Sequence, residues 1–251
     1  QVTDQAQVTV RREYALTVTV PPPPPVSVTG LPPTVDPAQQ PRLALSLDLP
    51  YPLDINGRAT LTFEPDAVNP ADDPSVQFST GGRVVDFTVP ANQTGAVFPA
   101  PEVAIQTGTV AGLIVLTMSM QAGGTDITPA PAPETQVRVE RLPPTITSVR
   151  VARTSGGFEV RVTGYSTPRQ ITRATFRFTA AAGANLQTSE ITVNVDSAFT
   201  TWYQSETSAQ FGSSFLYTQP FTVQGNSNAL STVAVTLTNA QGVSPPVTAS
   251  F

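Results

Sequence analysis

The sequence predicts an all-β fold of two tandem sandwiches, and three observations carry that prediction. The first is length: 251 residues are too many for one sandwich of about 100 residues and suit two of them. The second is composition. Charged residues make up 12% of the chain, half the usual share of about 25%. Thr, Ser, Val, Ala, Gln and Pro fill the difference, and β-branched side chains suit a pleated, half-buried surface. The third is punctuation. The 26 prolines and 16 glycines fall between short alternating runs, at edges and turns, where a missing ladder donor is tolerated.

Residues 1–25 read as the terminal strands of a preceding domain followed by a linker. QVTD at 1–4 is a strand end. RREYALTVTV at 11–20 places Tyr14, Leu16, Val18 and Val20 on one face. A hairpin of this size is marginal alone. Residues 11–20 are therefore expected to add to a sheet edge or to exchange with a neighbouring molecule. The prolines at 21–25 form a polyproline II spacer of roughly 15 Å. The start of the chain shows no signal peptide, which implies that one was cleaved or that this is an excised fragment.

The first sandwich is expected over 26–142. Its strands are placed at 26–29, 42–49, 58–63, 84–89, 95–98, 102–107, 112–120 and 136–141, with turns at Asn56-Gly57, Asn69-Pro70, Gly81-Gly82, Ala91-Asn92 and Gly123-Gly124. Pro143 and Pro144 mark a second, tighter boundary with little slack. The second sandwich is expected over 143–251, with strands at 145–153, 157–165, 173–180, 190–195, 200–205, 214–224, 231–239 and 246–251. Short strands at this spacing point to two immunoglobulin-like β-sandwiches preceded by an orphan β-hairpin. Three blocks recur in the same order in both halves: RATLTF at 58–63 and RATFRF at 173–178, VDFTVPANQTGAVF at 85–98 and ITVNVDSAFTTWY at 191–203, VAIQTGTVAGLIVLT at 103–117 and FTVQGNSNALSTVAVT at 221–236. That order implies duplicated modules.

The absences narrow the chemistry. There is no Cys and no His, and all 13 basic residues are Arg. Thiolate nucleophiles, imidazole bases, Ser-His-Asp triads, Schiff-base lysines and Cys- or His-ligated metals are excluded. What remains for catalysis is a pair of carboxylates across a cleft. The candidates cluster at Glu64, Asp66, Asp72 and Asp73, in a loop where acids are ordinarily solvated, so a carboxylate hydrolase ranks last and no enzyme is expected. The net charge of −5 opposes nucleic-acid binding. The arginines at 150, 153, 161, 169, 173 and 177 are expected to form a solvated sheet face. No membrane span is expected, since the most apolar run, 110–120, is far below the roughly 20 residues that a helix needs. Phe251 offers a faint likeness to the ends of outer-membrane barrels, which the short, Ser/Thr-rich strands before it oppose.

Two groups remain as candidate sites. Asp66, Asp72 and Asp73, with Glu64 nearby, sit in a Pro-, Ala- and Asn-rich loop. Such acids are ordinarily just solvated, and calcium is the functional alternative, because hard cations take loop carboxylates. The spacing matches no EF-hand. In the second half, Phe199, Trp202, Tyr203, Phe211, Phe215, Tyr217 and Phe221 form an aromatic cluster. These are expected to be core, except that a strand at 200–205 would put Trp202 and Tyr203 on opposite faces. The exposed one would stack on a sugar ring, with Glu206 and Gln210 as hydrogen-bonding neighbours.

The stretch GRATLTFEPDAVNPADDPSVQFSTGGRVVDFTVPANQTGAVF at 57–98 resembles modules of large extracellular proteins of soil bacteria, acidobacterial ones above all. FTTWYQSETSAQFGSSFLYTQPFTVQGNSNALSTVAVTLTNAQG at 199–242 does too, and residues 1–20 resemble the last strands of a bacterial putative-Ig repeat. The resemblance implies secretion or a cell-surface location and an immunoglobulin-like fold. It brings no catalytic or ligand-binding residue. The expected role is a structural or adhesive spacer facing a protein or polysaccharide partner, with a carbohydrate-binding module as the alternative.

Overall fold

The computed structural model describes residues 2–3, 9–16 and 19–251. It opens on a minimal hairpin, β1 (Val2–Thr3) against β2 (Thr9–Val10). The strand expected at 11–20 does not form among the described residues. Residues 11–16 and 19–20 lie outside strands, and Tyr14 and Leu16 are 80% and 88% exposed. Alternation alone cannot make a strand without a ladder to join; Val18 lies outside the described residues. The proline run is also no free spacer. The Tyr51 hydroxyl donates to the Pro21 carbonyl at 2.5 Å, the Asp48 N–H donates to the Pro25 carbonyl at 3.0 Å, and Val20 packs on the first core. The linker is thereby held against the first sandwich at both ends.

That sandwich is built from β3 (Val26–Thr29), β4 (Thr34–Val35), β5 (Arg42–Leu47), β6 (Ile55–Pro65), β7 (Val76–Phe78), β8 (Val84–Val89), β9 (Val103–Thr107), β10 (Gly112–Ala122), β11 (Thr125–Asp126) and β12 (Glu134–Val139). One sheet runs β3-β5-β9-β7. The other runs β4-β12-β10-β6-β8, with β11 folded back on β10. All pairs are antiparallel except β4 with β12. The inward face follows period-two alternation: Leu43, Leu45 and Leu47 from one sheet meet Ala59, Leu61, Ile114, Leu116 and Phe87 from the other. The segment expected as a strand at 95–98 makes only two isolated bridges, Ser46 with Gly95 and Thr88 with Val97. It crosses from β5 of one sheet to β8 of the other and closes that side of the sandwich, and Pro99 and Pro101 prevent it from extending either ladder.

The second sandwich comprises β13 (Thr145–Thr154), β14 (Gly157–Tyr165), β15 (Arg173–Ala180), β16 (Glu190–Asn194), two helices α1 (Asp196–Gln204) and α2 (Glu206–Ala209), β17 (Ser214–Thr222), β18 (Leu230–Asn239), β19 (Gly242–Val243) and β20 (Val247–Ser250). Its sheets run β13-β14-β17 and β16-β15-β18-β19, with β20 also on β18. The final strand is broken at Pro245 and Pro246, which have no N–H to donate. Around Val160, Val162, Phe176 and Val235 lies an aromatic set in which Phe251 meets Phe158 edge-on at 4.7 Å. Phe251 is thus a packing residue of this core. The strand cores of the recurring blocks occupy matching places: β6, β8 and β10 are to the first sandwich what β15, β16 and β18 are to the second. The tails of the second block do not match, since 95–98 makes isolated bridges and 200–203 lies in α1.

One expected strand is replaced by a helix. Residues 196–204 form α1 because Val195, Phe199, Trp202 and Tyr203 recur at helical spacing and turn one stripe to the core. The Asn194 side chain accepts the Asp196 N–H at 3.1 Å and starts the turn. Ser205 ends α1 and caps α2 by accepting the Ser208 N–H. No helix among the described residues is long and apolar enough to cross a membrane.

Candidate functional site

The candidate residues of both halves meet where the loops of the two sandwiches touch. The loop after β14 makes a tight turn over 166–169, closed by the Arg169 N–H on the Ser166 carbonyl at 2.7 Å. The tip of this turn enters the first sandwich as a short extra ladder. The Val68 N–H donates to the Pro168 carbonyl and the Ala111 N–H to the Thr167 carbonyl, both at 2.8 Å. The chain connection is fixed in the same place: the Leu142 N–H donates to Thr167 Oγ1 at 2.7 Å, and Asn239 Nδ2 donates to the Leu142 carbonyl at 2.8 Å.

At the centre is Arg169, whose φ of +51° aims a fully buried side chain along the seam. Nε donates to the Asn69 carbonyl at 2.8 Å, Nη1 to the Gly212 carbonyl, and Nη2 to the Tyr203 carbonyl and, at 2.8 Å, to Ser208 Oγ. The guanidinium lies over the Tyr203 ring, 4.9 Å from its centre. Asn69 answers with Nδ2 on the Arg169 carbonyl at 2.9 Å. Burial lowers the guanidinium pKa, opposed by Tyr203 and Asp73. The group stays cationic, because an arginine does not deprotonate in proteins. A buried cation must be fully hydrogen-bonded to be tolerated, and this one is met mainly by backbone carbonyls.

Asp73 is the buried anion of the same region. Its Oδ2 accepts the N–H groups of Thr109 at 2.6 Å and Val110 at 3.0 Å, and Oδ1 accepts that of Ser75 at 2.9 Å. Two glycines make room for it. A Cβ on Gly108 would stand 2.5 Å from Oδ2, and one on Gly212 2.7 Å from it, and both residues have positive φ, +66° and +59°. Ser213 finishes the seam by donating its N–H to Thr109 Oγ1 at 3.0 Å and its hydroxyl to the Thr109 carbonyl at 2.7 Å. The Tyr203 hydroxyl donates to the Ser213 carbonyl at 2.9 Å, and burial pushes its phenol well above the ordinary range.

The calcium expectation fares differently. Asp66, Asp72 and Asp73 do not converge. Asp66 pairs with Arg141 and Arg138, Asp72 pairs with Arg83 at 2.6 Å, and Asp73 is occupied by backbone donors. No group of three or more metal-ligating side chains occurs among the described residues. Of the aromatic candidates, Tyr203 is buried in the seam. Trp202 is half-buried, donates its indole N–H to the Ser214 carbonyl at 3.3 Å, and stacks on Phe211 at 6.2 Å. Phe211 is the exposed ring of the pair, at 53%. Glu206 and Gln210 are exposed beside it on the same short segment. Glu206 also lines an open cleft of about 430 Å³ at the seam with Val68, Asn69 and Gln204. A larger concavity of about 800 Å³ lies along β8 and 97–99 of the first sandwich and includes none of these residues.

The expected arginine face is not one face. Arg169 is in the seam, Arg153 lies over the Phe251 ring, Arg173 and Arg177 belong to β15 on the other sheet, and only Arg150 and Arg161 stand side by side. The seam itself went unseen in the sequence. Its one local signal is the turn-forming run Ser166-Thr167-Pro168-Arg169, which says nothing about a partner 100 residues away.

No family model matches the chain, and no curated protein does. Among solved structures it is similar to the class 5 fimbriae chaperone CfaA (9% identity, 89% of this chain and 100% of that one, TM-score 0.30). It is also similar to the E. coli chaperone DraB (12%, 90% and 98%, TM-score 0.28) and to the FN1-FN3 domains of chicken CNTN1 (14%, 88% and 65%, TM-score 0.26). The chain is all-β with immunoglobulin-like sandwiches, and that statement stands on its own sheets and cores.

Proposed function

We propose that this chain is a non-catalytic structural and adhesive module of a larger secreted or cell-surface protein, with 26–142 and 143–251 acting as one rigid spacer. The observation that carries this reading is the fully buried Arg169, reaching from one sandwich to the Asn69 carbonyl of the other. A linker that merely tethers two domains needs no buried cation at the contact, since relative motion is the default for a small interface. The docked proline run extends the same stiffness over residues 20–25. The resemblance to soil-bacterial surface proteins fits such a spacer.

The absence of native cysteine makes the test clean. Spin labels on Thr80→Cys and Thr179→Cys, one on each sandwich, report the distance between them. A single narrow distribution that broadens in Arg169→Ala is the expected result. A broad distribution in the otherwise unaltered chain overturns the rigid-spacer reading.

A second reading, sugar binding, is favoured by the Phe211 ring stacked on Trp202 at the surface. Trp202 is the sole tryptophan, so its fluorescence reports that surface alone. A shift on adding a soluble neutral glycan, lost in Phe211→Ala, is the outcome that supports this reading.

A further inference from the structure

The outer face of the β13-β14-β17 sheet sets Arg150 directly opposite Arg161, with Thr218 completing the row on β17. Both arginines are exposed. Like charges directly opposite each other cost stability, so folding alone does not account for the pair. Arg161 meets one acid, Glu159, at 3.2 Å along its own strand. The acids Glu102, Asp86, Asp72, Asp66 and Glu190 answer other arginines elsewhere. Among the residues of these three strands Glu159 is the one acid, so Arg150 and Arg161 leave the face an excess of one positive charge on a chain whose net charge is −5. The adjoining row is hydroxyl-rich: Thr163 bonds Ser148 at 2.7 Å and Thr147 at 3.1 Å. Leu216, next in that row, is 67% exposed.

We propose that this face binds an anionic polysaccharide, with Arg150 and Arg161 holding its carboxylate or sulfate groups. Directly opposite residues have Cβ atoms about 4.5–5.5 Å apart, so two guanidinium forks reach one anionic group or adjacent groups of one polymer. Each fork grips a planar or tetrahedral oxyanion through paired N–H donors. The hydroxyl row offers donors and acceptors to sugar hydroxyls, and Leu216 offers an apolar contact to the C–H face of a ring. A sheet face without walls suits a polymer lying across it, whereas a small molecule needs concavity. This goes beyond the spacer reading by giving the module a surface to hold. It is independent of the seam, so its failure leaves the inter-label distance untouched.

Binding is measured at low ionic strength with four probes: polygalacturonate for carboxylates, dextran sulfate for sulfates, unmodified dextran as the neutral control, and poly-glutamate as an acidic peptide. The expected result is binding to polygalacturonate or dextran sulfate and not to dextran, weakened by added salt. Arg150→Ala and Arg161→Ala should each reduce affinity by about tenfold or more, while Arg173→Ala on the other sheet leaves it unchanged. Which of the two polyanions binds tells carboxylate from sulfate. Tighter binding of poly-glutamate than of either polysaccharide, equal loss in Arg173→Ala, or no binding to any polyanion overturns the proposal.

Discussion

Arg169 and Asp73 are a buried cation and a buried anion in one seam, yet neither is the other's hydrogen-bond partner. Arg169 spends its donors on the carbonyls of Asn69, Gly212 and Tyr203, and Asp73 takes the N–H groups of Ser75, Thr109 and Val110. Gly212 stands between them: its carbonyl receives Arg169, and its missing Cβ leaves room for the Asp73 carboxylate. The charges thus organise backbone from three loops, and their mutual attraction is secondary. Truncating either leaves buried backbone groups unpaired, which costs more than the pairing contributes.

Arg169→Ala is the direct test of that asymmetry. It strips several carbonyls of their donor and opens a cavity, an expected loss of about 3–5 kcal/mol. Calorimetry should show more than a lower Tm. The single transition expected of the intact chain should separate into two, one for each released sandwich. Arg169→Lys should recover little, because one ammonium cannot reach acceptors laid out for a planar fork.

One glycine in the turn after β15 and one in the seam separate backbone strain from steric exclusion. Gly183 has φ of +76° and open space where its Cβ would be, whereas Gly212, at +59°, faces the Asp73 carboxylate. Gly183→Ala should cost only the left-handed backbone term, about 1–2 kcal/mol. Gly212→Ala should cost clearly more in urea unfolding. Combining Gly212→Ala with Asp73→Ala should lose less than the sum of the two single variants, since the second removes the clash created by the first. Strict additivity would show that the clash is relieved in some other way.

The fold was legible where strands alternate and stay long. Residues 84–89, 157–165 and 173–180 form strands at the bounds their alternation gives. The short pieces β4, β7 and β19 were not legible, since two or three residues carry no period. Helix α1 was hidden because six residues, 200–205, look like a β-rich run, and only a window reaching back to Val195 reveals the four-residue spacing. Asp73 and Tyr203 stand out in the sequence as candidates for calcium and for sugar. The structure gives both to the seam, because a sequence shows that a side chain is unusual before it shows what it touches. In the sequence Arg169 looks like one more surface charge. Nothing local distinguishes a buried arginine from an exposed one when its acceptors are backbone carbonyls of distant loops.

The carboxylates at 66–73 should separate by burial. Asp72→Asn breaks an exposed ion pair with Arg83 and should change stability by less than about 1 kcal/mol. Asp73→Asn puts an amide against N–H donors and should cost about 1.5–3 kcal/mol. Melting curves in calcium and in EDTA should coincide. A calcium-dependent rise in Tm that vanishes in Asp72→Ala would instead make the loop a metal site.

Alkaline pH should destabilise the chain through its buried phenols. Burial raises the Tyr217 pKa from 10.0 to about 12 and raises that of Tyr203 further. Below pH 10 the phenols are protonated in both folded and unfolded chains and contribute no slope. Above it the unfolded chain releases protons that the folded chain retains, so the unfolded state is favoured and stability falls as pH rises from about 10 towards 12. With no histidine in the chain, stability should be level across neutral pH. On the acid side Asp86, held low by Arg58, and Asp126, held low by the Thr128 N–H and hydroxyl, contribute stability that is lost as pH falls through the carboxylate range. Urea midpoints between pH 7 and 11.5 check the alkaline limb, and Tyr217→Phe should make it shallower. Tyr203→Phe should flatten it too, but with a lower plateau, because the hydrogen bond to the Ser213 carbonyl goes with the hydroxyl. An unchanged alkaline slope in both variants would move the effect away from these two phenols.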